Sequence, residues 1–362
     1  MSIHFHPLSI KEVKKETADC VSVLFDVPGD KKEQFQFQQG QSLTMRTTIN
    51  GEEVRRTYSI CSSPLDNKLR VAIKKQEGGL FSTFANEQLK NGDVLEVMEP
   101  VGKFYTNLNP ANQKNYLAFA AGSGITPVIS IIKTTLVKEP HSKFTLVYSN
   151  RSRASIIFFE ELEALKDKYL DRLNLIFLLS RERTEAPLNY GRIDIEKLNA
   201  LSRFIDYKSV DDFFICGPED MIFRVKEFLE QKSVDQKKIH FELFSTSGQK
   251  KPSTISNLPA GRQGRQSAIS KITVKLDGRS FDFDLALNSE TVILDAALEQ
   301  GADLPYACKG GMCCTCKAKL VEGEVEMDVH WGLDEEEIDK GFILTCQSHP
   351  KTEKVVVDFD IK

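Results

Sequence analysis

No segment of the 362-residue chain combines the length and unbroken apolarity that a membrane span needs. Residues 116–132 carry no charge, but Gly122-Ser123-Gly124 and Pro127 interrupt them, which suits a buried strand, a tight loop and a helix start. The first fifteen residues have no apolar core and place Lys11, Lys14 and Lys15 too late for a secretion signal. A disulfide framework is missing too: five of the eight cysteines lie between Cys308 and Cys346, while Cys20, Cys61 and Cys216 are scattered. That usage predicts a reducing, cytoplasmic setting. There is no internal repeat and no excess of basic charge, the net being −4. These absences argue against a membrane protein, a secreted disulfide scaffold and a nucleic-acid binder.

What is present is an ordinary globular composition, 41% hydrophobic and 28% charged, with a length that asks for two or three domains. The charge is unevenly spread. Residues 271–362 hold 19 acidic and 10 basic residues, net −9, and the remainder holds 33 acidic and 38 basic, net +5. An acidic tail domain on a basic body permits electrostatic docking, between the two or with a basic partner.

Residues 1–110 read as short β runs separated by turns at Pro28-Gly29, Asn50-Gly51 and Asn91-Gly92, with one helix near 81–89. An antiparallel β-barrel is expected there. Over 111–246 strand and helix alternate, with strands at 117–121, 144–148, 173–179 and 213–216 and helices from Pro127, near 158–168 and over 219–231. This predicts an α/β domain with a parallel sheet. Residues 247–270 are rich in Gly, Pro, Ser, Gln and Arg and read as a flexible linker. Residues 271–362 open with a hairpin around Asp277-Gly278 and continue through a helix at 292–300 to a strand at 355–359, a compact α+β unit.

The most specific signal lies in that last unit. Cys308-x4-Cys313-x2-Cys316, with 29 residues before Cys346, is the ligand spacing of a plant-type 2Fe-2S cluster. A zinc knuckle is the competing reading, but it usually brings two short Cys-x2-Cys pairs. Gly310 and Gly311 suit a loop whose N–H groups approach sulfur closely. Cys314 is read as a non-ligand.

Four further motifs are weaker alone. Arg56-Thr57-Tyr58-Ser59 offers a guanidinium for a pyrophosphate, a ring to stack on a flavin and a hydroxyl for its edge, and it is equally compatible with an ordinary strand. Ile73-Lys74-Lys75 leads to Gly79-Leu80-Phe81-Ser82, a glycine turn opening a helix whose N–H groups suit phosphate. Gly122-Ser123-Gly124-Ile125-Thr126-Pro127 sits at a strand-to-helix junction, and Cys216-Gly217-Pro218 ends a later strand. The former is not the dinucleotide fingerprint, because Pro127 replaces its third glycine.

Taken in order, these motifs resemble the ferredoxin–NADP reductase superfamily, in the subgroup that runs from flavin barrel through nucleotide domain to a C-terminal ferredoxin. Cys308-Lys309-Gly310-Gly311-Met312-Cys313 and the stretches at 320–328 and 344–350 further resemble the reductase subunits of ring-1,2-phenylacetyl-CoA epoxidases. The resemblance implies a β-grasp ferredoxin domain and an NAD(P)H-dependent reductase carrying FAD and a 2Fe-2S cluster. It implies FAD contacts from Arg56, Thr57, Tyr58, Ser59, Ile73, Lys75 and the turn Gly79, Leu80, Phe81, Ser82. Gly122, Ser123, Gly124, Thr126, Cys216, Gly217 and Pro218 would line the nicotinamide nucleotide, with Ser59, Cys216 and Phe244 nearest the hydride transfer. The partner implied is a separate oxygenase, di-iron in the epoxidases, docking on the acidic domain. Reductases of aromatic-ring or steroid hydroxylases share the domain order and are the alternative. A redox sensor is a rival of another class, which the presence of Arg56, Tyr58, Ser59 and Cys216 disfavours. Finally, the second nucleotide-domain strand leads into Asn150-Arg151-Ser152-Arg153 with no carboxylate, so Arg151 and Arg153 predict NADPH over NADH.

Overall fold

The computed structural model describes residues 4–244, 269–287 and 289–361, which form two compact units, one of them Phe5–Phe244. The unit begins with strands β1 (Phe5–Thr17), β2 (Cys20–Asp26), β3 (Ser42–Ile49), β4 (Glu52–Ser59) and β5 (Leu69–Lys74). Helix α1 (Leu80–Glu87) and strand β6 (Val94–Met98) follow. Neighbours run in the order β4-β3-β6-β1-β2-β5, all antiparallel. A single bridge between Ile60 and Val71 joins the two edges, so the sheet closes into a barrel. Asn50 and Gly51 both take positive φ, 54° and 84°, the geometry that matches a two-residue hairpin to strand twist.

The same unit continues with β7 (Asn115–Ala121), α2 (Ile125–Lys138), β8 (Lys143–Asn150), α3 (Phe159–Lys168) and β9 (Leu173–Leu179). Then come α4 (Ile195–Leu201), β10 (Asp212–Gly217), α5 (Glu219–Gln231) and β11 (Ile239–Leu243). The parallel order β11-β10-β7-β8-β9 reverses direction between β7 and β10. Helix α2 starts at Ile125, two residues before the expected Pro127, because a proline in the first turn removes only an N–H that has no intrahelical partner.

Barrel and parallel sheet share one compact unit, joined by a common apolar cluster and by polar side chains. Ser130 Oγ donates to the Ser62 carbonyl at 2.6 Å, and the hydroxyls of Ser63 and Thr134 meet at 2.9 Å. Lys133 bridges Asp66 at 2.6 Å and Glu161 at 2.8 Å. Fully buried Glu139 accepts from Tyr116, Ser142 and Asn112 side chains and from the Asn109 N–H. A buried carboxylate this fully bonded anchors the connection that leaves the barrel.

The second unit holds β12 (Ile269–Leu276), β13 (Arg279–Ala286), α6 (Ile293–Glu299), β14 (Lys317–Glu322) and β15 (Val325–Met327). Helix α7 (Glu335–Asp339) and strands β16 (Phe342–Leu344), β17 (Ser348–Pro350) and β18 (Lys354–Asp358) complete it. A mixed sheet of order β13-β12-β18-β14-β16 carries α6 on one face, where Ile293, Leu294 and Ala297 meet Ile272, Val355 and Val357. The linker expected at 247–270 lies outside the described residues up to 268. Its last two members are paired strand, Ile269 with Ala286 and Ser270 with Leu285, since β12 extends two residues further than its apolar pattern.

Candidate functional site

The barrel contributes the end of β4 and the turn before α1. Arg56 is exposed, and its guanidinium donates to the Arg55 carbonyl at 2.7 Å, which holds the head at the surface. Tyr58 packs its ring against Phe81 at 5.6 Å, and burial raises its phenol above the ordinary tyrosine range. Thr57 turns instead to Thr44, hydroxyl to hydroxyl at 3.1 Å. Ser82 accepts from the Gln76 N–H at 3.0 Å and donates to the Gly79 carbonyl at 3.2 Å, closing the turn on itself. A Cβ on Gly79 would stand 2.5 Å from that hydroxyl, so the cradle needs glycine. A guanidinium, an aromatic ring and a glycine turn at a helix start fit a flavin dinucleotide. Ile73 is wholly buried in the barrel core and Leu80 is exposed. Lys75 pairs with Glu87 at 2.5 Å, whereas its neighbour Lys74 brings its amine to about 4.0 Å from where a Gly122 Cβ would stand. Lys74 is the cation nearer the second motif, a preference that adjacent lysines in sequence cannot reveal.

That second motif occupies the reversal between β7 and β10, where open α/β sheets bind ligands. Gly122 has φ of +53°, and its carbonyl accepts from Tyr148 at 2.9 Å. A Cβ on Gly124 would lie 2.0 Å from the Cys216 carbonyl, and one on Gly217 would lie 2.7 Å from Met221. The two strand-end turns therefore pack backbone to backbone, which only glycine at position 124 allows. Ser123 offers its carbonyl to Thr126 Oγ1 at 3.0 Å, and Pro218 caps α5.

Barrel and sheet converge at Ser59. Its hydroxyl donates to Glu242 at 2.9 Å, although 183 residues separate the pair. Glu242 lies opposite Cys216 in the β10–β11 register, so hydroxyl, carboxyl and thiol share one place. Part of Glu242 reaches the surface, yet its carboxyl is set deep among protein groups. That desolvation raises it to about 7, against a smaller lowering by the Ser59 bond. Cys216 is wholly buried, and burial, then the Glu242 charge, pushes its thiol up. Phe244 follows directly on β11 and is 40% exposed. Sequence reasoning did not single out Glu242. Its only signal was an acid in the mostly apolar stretch 239–244.

Arg151 follows β8 and is exposed, while Arg153 lays its guanidinium over the Phe159 ring at 4.7 Å.

In the second unit the four cysteines form two pairs. All four are free thiols, with Cys308 next to Cys313 and Cys316 next to Cys346. The Cys313 thiol and then the N–H groups of Met312, Gly310 and Cys313 pull Cys308 down to about 5. Cys346 is lowered first by Cys316. Among the described residues, no three His, Cys, Asp or Glu side chains converge on one metal position. Four thiols gathered in this way fit a 2Fe-2S cluster, which these cysteines would hold. Gly311, at φ +75°, would place a Cβ 2.7 Å from Val329, so the segment 329–332 lies against the loop. Cys314 also has positive φ and turns its thiol to the Gly332 carbonyl, away from the pairs.

Residues 7–105 match the oxidoreductase FAD-binding domain, residues 119–227 the oxidoreductase NAD-binding domain and residues 274–351 the 2Fe-2S iron-sulfur cluster binding domain. The chain is 45% identical over 359 residues to one of the subunits of Escherichia coli K12 1,2-phenylacetyl-CoA epoxidase, covering 99% of this chain and 98% of that one. The chain belongs to the ferredoxin–NADP reductase superfamily, among its oxygenase reductase components. This oxidoreductase is also 34% identical over 359 residues to the ferredoxin reductase component of Rhodococcus rhodochrous 3-ketosteroid-9-alpha-monooxygenase, covering 97% of this chain and 96% of that one. In fold it resembles phthalate dioxygenase reductase, with TM-score 0.58, 24% identity and 98% of both chains covered. Against an intact type IV self-sufficient cytochrome P450 monooxygenase the TM-score is 0.67 at 20% identity, over 98% of this reductase and 41% of that chain.

The acidic run of this reductase is less uniform than its sequence suggests. Asp334 caps α7 by accepting from the Glu337 N–H at 2.8 Å, and buried Glu337 pairs with Lys317 at 2.9 Å. Glu336 pairs with Lys340 at 2.5 Å, while Glu335 and Asp339 face solvent. Trp331, 40% exposed, stands on the segment against the cluster loop, where the Gly332 N–H donates to Gly311 at 2.8 Å. No described helix is long and apolar enough to cross a membrane.

Proposed function

We propose that this chain is the reductase component of a phenylacetyl-CoA epoxidase, delivering electrons from NADPH to a di-iron oxygenase. The observation that carries the reading is the 45% identity to a component of that enzyme, running through 99% of the chain and all three domains. A bound FAD accepts the electron pair of a hydride and releases it singly, and a 2Fe-2S cluster takes one electron at a time. The chain's own part is to hold these groups and manage charge. Arg56 and the Gly79–Ser82 turn would bind the flavin diphosphate, Tyr58 its ring, and the Gly122–Gly124 and Cys216–Pro218 turns the nicotinamide half of the nucleotide. Glu242, bonded to Ser59 and balanced near neutrality, supports proton exchange at the hydride corner. Cys308, Cys313, Cys316 and Cys346 would ligate the cluster.

Arg151 supports NADPH as the preferred donor, with NADH also usable. The exposed Glu335, Asp339 and Trp331, in a domain of net charge −9, support docking of a basic oxygenase surface around an aromatic contact. The free cysteines Cys20, Cys61 and Cys216 fit a cytoplasmic setting. The second reading, the reductase component of a steroid or aromatic-ring hydroxylase, is favoured by the 34% identity to the ferredoxin reductase component of 3-ketosteroid-9-alpha-monooxygenase.

Co-purification from native cells grown on phenylacetate decides between them. The expected result is an oxygenase retained on the tagged chain that consumes phenylacetyl-CoA when NADPH is supplied. Retention of a steroid or aromatic-ring hydroxylase instead would replace the first reading by the second.

A further inference from the structure

Beyond β8 and β9 the chain places four arginines and one acid on adjoining strand ends. The Ser180 N–H donates to the Asn150 carbonyl at 2.9 Å and the Arg181 N–H to the Arg151 carbonyl at 2.8 Å, so the two ends are zipped in register. Arg151, Arg153, Arg181 and Arg183 are all exposed. Between them, Glu182 accepts the Arg153 backbone N–H at 2.8 Å. Among the described residues Glu182 forms no ion pair, despite these neighbouring guanidinium groups, and Arg153 lays its own head on Phe159. The carboxylate is thus held by the backbone while Arg151, Arg181 and Arg183 keep their charges unneutralised. Sequence alone shows no acid at the end of β8. The acid comes from the next strand, brought there by the parallel pairing.

We infer that Glu182 discriminates between a ribose 2′-hydroxyl and a 2′-phosphate in the nucleotide site. This rests on the proposed placement of the adenosine end of the nucleotide at the tip of β8. A carboxylate accepts a hydrogen bond from a 2′-hydroxyl and repels a phosphate dianion, whereas guanidinium groups attract the phosphate. The strand ends therefore carry opposed preferences, and Glu182 limits the advantage that the arginines give NADPH. Its removal sharpens NADPH selectivity, and removal of Arg151 weakens it.

The test is titration of the purified chain with adenosine 2′,5′-bisphosphate and with AMP, alongside kcat/KM for NADPH and NADH. Glu182→Gln keeps an acceptor for the Arg153 N–H and removes the charge. It is expected to tighten the bisphosphate about fivefold to tenfold, leave AMP unchanged and raise the NADPH-to-NADH ratio by a similar factor. Glu182→Ala removes the acceptor as well and is expected to weaken AMP, whose 2′-hydroxyl loses its partner, without weakening the bisphosphate. If Glu182→Gln behaves as wild type, or moves both ligands in parallel, Glu182 is only a loop brace and the inference fails. A wild-type preference for NADH is a separate result. It would overturn the NADPH proposal and leave the role of Glu182 standing on the variant.

Discussion

The proposed cluster loop and the proposed hydride corner are built in opposite ways. Three of the four cluster cysteines fall within nine residues, and a loop of positive-φ positions at Lys309, Gly311 and Cys314 turns them inward. The hydride corner takes Ser59 from the barrel and Cys216 and Glu242 from two strands of the parallel sheet, with 183 residues between the bonded pair. A one-electron site can be specified locally, because its ligands need only surround a compact inorganic group. A hydride site needs two ligand faces brought together, and here two domains packed as one unit supply them.

The largest expected effect breaks the local half. Cys313→Ser or Cys346→Ser should abolish the 2Fe-2S absorption and iron content, while Cys314→Ser retains both and every variant still reduces a small flavin-level dye. Loss of cluster in Cys314→Ser alone would reassign the loop. The next breaks the long-range half. Gly124→Ala forces a methyl into the Cys216 carbonyl, and overpacking of about 1–3 kcal/mol predicts roughly tenfold to a hundredfold weaker nucleotide-driven flavin reduction. Photochemical reduction of the flavin in the same variant should be normal.

A subtler effect concerns Glu242, whose carboxyl is raised from 4.5 to about 7. Unfolded, this group releases its proton near 4.5; folded, it keeps it until about 7. Stability linked to it is therefore present at low pH, falls as pH rises between those values and is flat above. Glu242→Gln should remove that slope from denaturant midpoints and remove a titration near pH 7 from the hydride-transfer rate, with the iron–sulfur absorption unmoved. A rate profile identical to wild type would exclude Glu242 from the chemistry. The smallest effect is at α7. Glu335→Lys with Glu336→Lys should leave stability within about 0.5 kcal/mol and slow electron delivery to the oxygenase, most visibly at low salt. Delivery insensitive to both salt and charge reversal would move docking elsewhere.

Legibility followed the same division. The hairpins at Asn50-Gly51 and Asp277-Gly278, strand β9 and helix α5 stand where their local patterns place them, because turn chemistry and apolar periodicity act over a few residues. The 13-residue β1 and the short α4 were not singled out: β1 mixes exposed lysines with half-buried positions, and α4 has only seven residues to show a period. Lys75 and Lys74 looked alike until the fold turned one toward Glu87 and the other toward Gly122. The acidic run looked uniform until capping and the Lys317 bridge took Asp334 and Glu337 out of it.

By itself the sequence determined the cysteine spacing, the glycine turns and the order of three domains, because each depends on covalent distance and local backbone freedom. Only the tertiary structure decided that Ser59 meets Glu242, that Glu182 reaches the turn after β8 and that the four sulfurs divide into pairs. The reason is that strand pairing and domain packing set which distant side chains share one low-dielectric space, and a residue's charge state and partners follow from that space rather than from its neighbours along the chain.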